Sequence, residues 1–153
     1  KPEIETLDSS FFDKVFTNYA TIAEENEKGF TAQNQVGRSI KTDKTLLKQL
    51  MTILFDNAIK YTEDDGQVTL TVRTNDRHLY ITVADNGPGI ADEDKKKIFD
   101  RFYRVDKDRT RQKGGFGLGL SLAQQIVLAL KGTIIVKDNQ PKGTIFEVKI
   151  TGV

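Results

Sequence analysis

The chain has 153 residues, which is the size of one domain built around one hydrophobic core. Hydrophobic residues make up 37% and charged residues 29% of the sequence, a balance that excludes a wholly disordered chain and a membrane protein. The 23 basic and 22 acidic residues leave a formal net charge of +1, without the basic excess of a nucleic-acid binder. The sequence has no cysteine, which excludes disulfides and thiolate sites. The chain starts at Lys1 without a methionine or a targeting pattern, and we expect it to be a fragment of a longer protein.

The N-terminal part of the sequence predicts a helix followed by weak strands. Apolar residues recur at helical spacing after Ser9 and Ser10, and we expect this first amphipathic helix to extend to about Lys28. The polar region that follows should carry one or two short strands, around Phe30 and around Ser39-Ile40.

A second helix and a hairpin are predicted in the middle of the chain. Thr42 and Asp43 are N-cap candidates for a helix that extends to about Tyr61. Apolar and polar residues then alternate in two segments, Gly66–Thr74 and Arg77–Asp85, a pattern typical of paired antiparallel strands. A short turn between these segments completes a β-hairpin.

The C-terminal part adds two helices and a second hairpin. A short helix is expected at about Asp92–Phe99 and a third long helix at about Leu118–Leu130. Thr133–Lys137 and Thr144–Ile150 form the second hairpin. Because helices and hairpins occur in separate blocks, the sequence predicts an α+β fold: a two-layer α/β sandwich. Its mixed, mostly antiparallel sheet of about five strands would be covered on one face by three helices.

Six of the twelve glycines lie in two short clusters: Gly87 and Gly89, and then Gly114, Gly115, Gly117 and Gly119. The second cluster opens directly into the third helix, where free N–H groups and the helix dipole favour a phosphate. Glycines that simply form turns are the alternative for either cluster. The sequence has no P-loop and no G-x-G-x-x-G motif, so a nucleotide would have to be bound in another way.

Polar residues on the apolar stripe of the second helix are candidates for ligand binding. Asn57 follows Leu50 and Leu54 at helical spacing, and Lys60 and Tyr61 lie three and four residues further along the same face. Burying an amide without partners costs about 1 to 3 kcal/mol. Asn57 therefore either binds a ligand or forms a hydrogen bond with a neighbouring loop.

Asp85 keeps the inward phase of its predicted strand, so its carboxylate should point into the edge of the core and needs a donor. The alternative is a loop-capping role, in which it accepts hydrogen bonds from the N–H groups of Gly87 or Gly89. Further along the chain, residues 101–113 include six basic and two acidic side chains. Few apolar residues anchor this segment, so we expect a mobile lid over a polyanion, with an ordinary solvated loop as the alternative.

Four motifs follow one another in chain order: Asp56-Asn57-Ala58-Ile59-Lys60-Tyr61, Asp85-Asn86-Gly87-Pro88-Gly89-Ile90, Ile98-Phe99-Asp100-Arg101-Phe102-Tyr103-Arg104 and Gly115-Phe116-Gly117-Leu118-Gly119-Leu120. In this order they resemble the N, G1, F and G2 boxes of bacterial sensor histidine kinases. Gly143-Thr144-Ile145-Phe146 is similar to the last glycine box of that family. The resemblance extends over nearly the whole chain, and four motifs in the right order are far more specific than any one of them.

The resemblance implies a catalytic domain that binds ATP and Mg²⁺. Asn57 would supply an oxygen to Mg²⁺, and Lys60 and Arg104 would contact the phosphates; these three residues would be catalytic. Asp85 would accept a hydrogen bond from the adenine N6 amino group. The resemblance implies further nucleotide contacts for Tyr61, Gly87, Gly89, Ile90, Gly115, Gly117, Leu118, Gly119, Leu120 and Thr144.

Two departures from the family pattern limit the chemistry of the chain itself. Position 53, four residues before Asn57, is Ile, whereas related ATPases carry a glutamate there that activates water. The phosphoacceptor motif of the family is missing, and the only histidine, His78, is expected to be an exposed strand residue. Hydrolysis therefore lacks its base, and the acceptor histidine must lie elsewhere.

The resemblance also implies the setting of this domain. Residues 1–153 would form a single catalytic domain that transfers the γ-phosphoryl group of ATP to a histidine on a separate dimerisation domain of the same kinase. A response regulator receiver domain would act downstream, and no nucleic acid would be bound. The isolated domain would be a monomer, while the full-length kinase would be a homodimer whose catalytic part is cytoplasmic and whose receptor part lies in the membrane.

The sequence is also compatible with other functions. A related serine kinase or an ATPase of the gyrase group shares the nucleotide fold, and a nucleotide-binding module could regulate partners without transferring phosphate. In the kinase interpretation, the segment between the F and G2 boxes, Val105–Gly114, forms the ATP lid, and we expect it to be disordered without nucleotide and protected with it.

Overall fold

The computed structural model describes residues 2–103 and 119–153. Their helices and strands follow in the order β1 (Glu5–Leu7), α1 (Ser9–Glu25), β2 (Gly29–Gln35), β3 (Ile40–Thr42), α2 (Lys44–Tyr61), β4 (Gln67–Thr74), β5 (His78–Asp85), α3 (Asp92–Lys95), α4 (Gly119–Ala129), β6 (Gly132–Asp138) and β7 (Thr144–Thr151). Arg104, Gly115, Gly117, Leu118 and the predicted lid lie outside the described residues. None of the described helices is long and apolar enough to span a membrane.

Five strands form one sheet, in the order β2-β4-β5-β7-β6. β2 pairs with β4 in parallel, and the other neighbouring pairs are antiparallel. One face buries alternate side chains of the central strands, among them Leu70, Ile81 and Val148, and α1, α2 and α4 pack on this face. The opposite face carries half-exposed polar residues such as Thr71 and Thr82. This arrangement confirms the predicted two-layer α+β sandwich.

Aromatic side chains join α1 to α2 inside the helical layer. Tyr19 of α1 stacks on Phe55 of α2, with ring centroids 4.3 Å apart and planes 6° apart. Phe30 of β2 meets the same Phe55 ring edge-on at 5.3 Å. The Tyr19 hydroxyl is 2.6 Å from the hydroxyl oxygen of Thr52, and burial raises the pKa of Tyr19 to about 12. These contacts fix the helix that carries part of the predicted site.

The N-terminus of α2 is capped by Asp43, one of the two predicted candidates. Asp43 Oδ1 accepts a hydrogen bond of 3.0 Å from the backbone N–H of Leu46. Asp43 Oδ2 accepts another, of 2.7 Å, from the N–H of Glu3. One carboxylate therefore caps the helix and also holds the N-terminal segment in place.

Three elements differ from the sequence-based expectation. Helix α1 ends at Glu25, three residues early, because Glu27 has a φ of 58°, the left-handed conformation that terminates helices. Helix α3 ends at Lys95 and not at Phe99 as expected, because the last two residues of the expected span, Ile98 and Phe99, are adjacent and so form no helical stripe. The sequence pattern does not predict β1, since its three residues contain one buried side chain, Leu7. β1 pairs with β3 in a separate two-stranded sheet.

Candidate functional site

Asp85 is the last residue of β5, and its side chain is 6% exposed at the edge of the core. Its Oδ1 accepts hydrogen bonds from the backbone N–H groups of Gly87, at 2.8 Å, and of Thr144, at 3.3 Å. Burial raises the pKa of Asp85, and these two hydrogen bonds partly offset that effect. Within the described residues, no donor bonds Oδ2. The loop-capping alternative therefore accounts for one carboxylate oxygen and leaves the other for a ligand.

Glycines let two backbone segments approach Asp85 where a side chain would collide. A Cβ atom on Gly87 would lie 2.6 Å from the carbonyl oxygen of Tyr61, at the end of α2. Gly143 has a φ of 114°, and a Cβ atom there would lie 1.9 Å from the carbonyl oxygen of Asp85. The loop after β5 and the β6–β7 turn are therefore packed backbone to backbone around this carboxylate. Gly87 of the first cluster thus has a structural role of its own.

A residue that the sequence pattern does not single out, Asn139, also contacts Asp85. It lies in the turn between β6 and β7, and its Nδ2 donates a hydrogen bond of 2.8 Å to the backbone carbonyl of Asp85. The two residues are 54 positions apart, and asparagine is common in turns. To predict this contact from the sequence, one would have needed the strand order β5-β7-β6, which places the turn beside the end of β5.

Asn57, Lys60 and Tyr61 lie at the C-terminal end of α2. Asn57 and Tyr61 are half-buried, and Lys60 is exposed. The sequence leaves open a hydrogen bond from Asn57 to a neighbouring loop. Among residues 2–103 and 119–153, the Asn57 side chain forms no such hydrogen bond. The carbonyl of Tyr61 lies against the loop after β5, so the structure places this end of α2 next to Asp85.

The described part of α4 begins at Gly119, beside α2. A Cβ atom on Gly119 would lie 3.7 Å from Cγ2 of Ile53. Ile53 precedes Asn57 by four residues, so Asn57 lies on the face of α2 that is turned toward this end of α4. Gly119 is exposed, and Leu120 is half-buried against the core. The structure thus places Gly119 of the second glycine motif beside the face of α2 that carries Asn57.

Ile90 is half-buried and packs against the core, next to an open cavity of about 440 Å³. Residues 88–91 and 138–143 line this cavity. Asn57, Lys60 and Asp85 do not line the cavity, which therefore lies beside these three residues.

His78 begins β5, at the opposite end of the strand from Asp85. It is half-buried instead of exposed, because its ring packs edge-on against Tyr80 with centroids 5.9 Å apart. Within the part of the chain that the structure describes, no group of three histidine, cysteine or acidic side chains could hold a metal ion.

Comparison with known proteins identifies similar sequences over nearly the whole chain. Residues 42–152 match the family described as histidine kinase-, DNA gyrase B-, and HSP90-like ATPase. The sensor protein CiaH of Streptococcus pneumoniae serotype 4 is 67% identical over 150 residues, which are 98% of this chain and 34% of that protein. The signal transduction histidine-protein kinase ArlS of Staphylococcus aureus is 44% identical over 109 residues, which are 71% of this chain and 24% of that protein. The chain thus spans about a third or less of the length of the curated relatives it matches.

Solved structures give the same result for the fold. The full-length ShkA structure in complex with AMPPNP has a TM-score of 0.83 at 25% identity, covering 100% of this chain and 32% of that one. The mycobacterial sensor histidine kinase MprB has a TM-score of 0.76 at 26% identity, covering 98% of both chains.

Proposed function

Since this chain belongs to the family of histidine kinase-, DNA gyrase B- and HSP90-like ATPases, we propose that it is the catalytic ATP-binding domain of a sensor histidine kinase. Residues 1–153 would form that single domain and transfer the γ-phosphoryl group of ATP to a histidine on the dimerisation domain of the same kinase. The support is the 67% identity to a sensor protein over 98% of the chain. The geometry of Asp85 is the structural observation that carries the proposal.

Asp85 is suited to recognise the adenine base. Its Oδ1 is fixed by two backbone N–H groups, so the direction in which Oδ2 accepts a hydrogen bond is also fixed. Adenine carries an amino group at N6, which can donate to this oxygen. Guanine carries a carbonyl oxygen at the same position, which a carboxylate would repel. Selectivity for adenine therefore follows from one buried carboxylate, and the AMPPNP complex of ShkA is consistent with an adenine nucleotide.

Asn57 is suited to hold Mg²⁺. Its half-buried amide has no hydrogen-bond partner among the described residues, and Mg²⁺ takes oxygen ligands, commonly one or two from the protein with the rest from phosphates and water. When bound, the ion would neutralise developing charge on the phosphates. Lys60 would bring its exposed ammonium group to the phosphates from the same helix end. Arg104, Gly115, Gly117 and Leu118 are assigned to the phosphates by the resemblance, and Gly119 and Leu120 would add backbone contacts from α4.

The remaining parts of the reaction would come from outside this chain. Catalysis here would consist of positioning and charge neutralisation. The dimerisation domain would supply the acceptor histidine and its base, and a response regulator would receive the phosphoryl group afterwards. In the full-length protein this domain would belong to a membrane-bound, homodimeric receptor and lie in the cytoplasm.

A regulatory nucleotide-binding module is the main alternative, and a serine kinase or ATPase of the same fold is the other. Incubating the chain with γ-labelled ATP, Mg²⁺ and a separately produced dimerisation domain of a related sensor kinase distinguishes them. We expect acid-labile, alkali-stable phosphate on the dimerisation domain, and less of it with Asp85→Asn when ATP is below saturation. ATP binding without any labelling would indicate the regulatory module, and acid-stable labelling would indicate a serine kinase.

A further inference from the structure

We propose that Asn139 is a positioning residue that maintains adenine selectivity by holding the backbone of Asp85 from the β6–β7 turn. The inference rests on the proposed role of Asp85 in recognising adenine. Asn139 itself would not touch the nucleotide, since its side chain is engaged with protein backbone at both ends.

The two ends of the Asn139 amide join the turn to the strand. Nδ2 donates to the carbonyl of Asp85 at 2.8 Å, and Oδ1 accepts from the N–H of Gln140 at 2.8 Å. The backbone N–H of Asn139 donates to the carbonyl of Gly143 at 3.0 Å, which closes the turn. The half-buried side chain is therefore held at a fixed place in a closed turn.

The hydrogen bond from Asn139 to Asp85 lies just beyond the last residue pair of β5 and β7. The pairing of β5 with β7 ends at Ala84, opposite Ile145. On the other side, β4 still pairs with Asp85 through Val68. The carbonyl of Asp85 thus points toward the β7 side just beyond the last pair, and Asn139 donates the hydrogen bond that the ladder no longer provides.

The carbonyl held by Asn139 belongs to the peptide group that leads into the loop. That loop contains Gly87, whose N–H donates to the Asp85 carboxylate. A shift of this peptide group would move the N–H group of Gly87, and the Asp85 carboxylate bound to it would then turn its Oδ2 in another direction. Asn86 secures the same loop from the β4 side, because its Oδ1 accepts a hydrogen bond of 2.8 Å from the N–H of Gln67. Asn139 is the corresponding anchor on the β7 side.

Base selectivity is the readout that separates positioning from a merely structural role. A looser Asp85 would both bind adenine less well and repel guanine less, so the ratio of ATP to GTP affinity should fall. A hydrogen bond between uncharged groups contributes about 0.5 to 1.5 kcal/mol, so the ratio should fall roughly twofold to tenfold. A structural role alone would lower the unfolding temperature and leave the ratio unchanged.

The experiment measures ATP and GTP affinities by calorimetry for the wild-type chain, Asn139→Asp, Asn139→Ala and Gln140→Glu. Asn139→Asp keeps the shape of the side chain and loses the donor, while Gln140→Glu adds the same charge to the same turn at an exposed side chain. Asn139→Ala removes the donor without adding a charge, so it serves if the acidic variant does not fold.

We expect both Asn139 variants to lose selectivity and Gln140→Glu to keep it. An unchanged ratio in a folded Asn139 variant would overturn the positioning role, whatever its stability. A wild-type chain without preference for ATP would instead count against the proposed function, so the two failures are distinguishable.

Discussion

Asp85 occupies an environment that opposes its ionisation and yet fixes its orientation. Burial raises the pKa of its carboxyl group, while two backbone N–H groups donate to one oxygen. A carboxylate in such a place interacts strongly with any donor that completes its hydrogen bonding, because little water competes. A change of a single atom at this residue should therefore alter nucleotide binding.

We predict that Asp85→Asn binds ATP about tenfold to a hundredfold more weakly, because a hydrogen bond to a charged group contributes roughly 1.5 to 3 kcal/mol. Titration calorimetry measures the affinity. Asp76→Asn, the same change at an exposed turn residue, is the matched control and should bind normally. Unchanged affinity in Asp85→Asn would contradict the assignment of adenine to this carboxylate.

The raised pKa of Asp85 also predicts a pH dependence. The ionised form accepts the adenine hydrogen bond, so ATP affinity should fall as the pH drops through the raised pKa, above the ordinary value of 3.8. The stability of the fold depends on pH in the opposite direction. Because the folded chain binds the carboxyl proton of Asp85 more tightly than the unfolded chain, the contribution of Asp85 to stability decreases as the pH rises from 3.8 through the raised pKa.

Calorimetry of the wild type and Asp85→Asn across this pH range measures the effect. The ratio of the two affinities cancels the titration of the triphosphate itself. A ratio that does not change with pH would show that Asp85 does not titrate in contact with the base.

Asn57 gives the corresponding prediction for the metal. Asn57→Ala should remove the Mg²⁺ dependence of ATP affinity and leave the fold intact, since its amide makes no hydrogen bond to another described residue. Affinity is measured over a range of Mg²⁺ concentrations, with Asn18→Ala, an exposed asparagine in α1, as the control. An unfolded Asn57→Ala chain would indicate a structural amide, and an unchanged Mg²⁺ requirement would place the metal elsewhere.

The site residues that could be predicted from the sequence are those with a periodic phase. Asp85 follows the inward phase of Ile81 and Val83, and its burial confirms the expectation. Asn57 follows a helical stripe, although it is half-buried. Asn139 could not be predicted, because its contact with Asp85 depends on which strands are neighbours and a turn has no periodicity.

At the level of elements, two aspartates cap two helices in different ways. Asp8 caps α1 with a local hydrogen bond to the N–H of Ser10. Asp43 caps α2 and also accepts from Glu3, 40 positions away. The hydrogen bonds from Leu46 and Glu3 lower the pKa of Asp43, so its contribution to stability is present above pH 3.8 and is lost as the pH falls through the lowered pKa.

We predict that Asp43→Ala lowers the free energy of unfolding by about 1 to 2 kcal/mol at neutral pH, as expected for the loss of an N-cap and one tertiary hydrogen bond. Urea unfolding measures the change, and Asp8→Ala is the matched control because its cap bonds are local. Equal losses in both variants would mean that the contact with Glu3 contributes nothing.

The distinction between local contacts and contacts of distant residues also explains which elements could be predicted. The two hairpins and three long helices have apolar periods of two and near four residues over at least a full element, and the structure confirms them. The parallel pairing of β2 with β4 has no local signal, because β3 and α2 separate the two strands along the chain and only tertiary packing brings them together. The three-residue strand β1 is too short to show a pattern.

In the whole molecule, one edge of the sandwich carries the candidate site. The end of β5, the β6–β7 turn, the end of α2 and the described start of α4 all contribute residues to that edge or lie beside it. His78 lies at the other end of β5, seven residues from Asp85. At about 3.3 Å per strand residue, the two are separated by roughly 23 Å.

We predict that the isolated chain neither labels itself nor hydrolyses ATP at a useful rate. The distance along β5 keeps His78 from a nucleotide held by Asp85 in the same molecule. The Ile53 side chain lies beside Gly119 and cannot orient a water molecule, because it has no polar atom. Phosphoryl transfer from this site therefore requires an acceptor brought by another domain.

The measurement is incubation of the purified chain with γ-labelled ATP and Mg²⁺, followed by assays for labelled protein and for free phosphate. His78→Ala and Asn57→Ala are the informative variants, and we expect the wild type to match both at background level. Labelling that disappears in His78→Ala would make that histidine an acceptor, which requires two molecules because of its distance from the site. Phosphate release over many turnovers that disappears in Asn57→Ala would make the chain an ATPase in its own right, with a water-activating group other than residue 53.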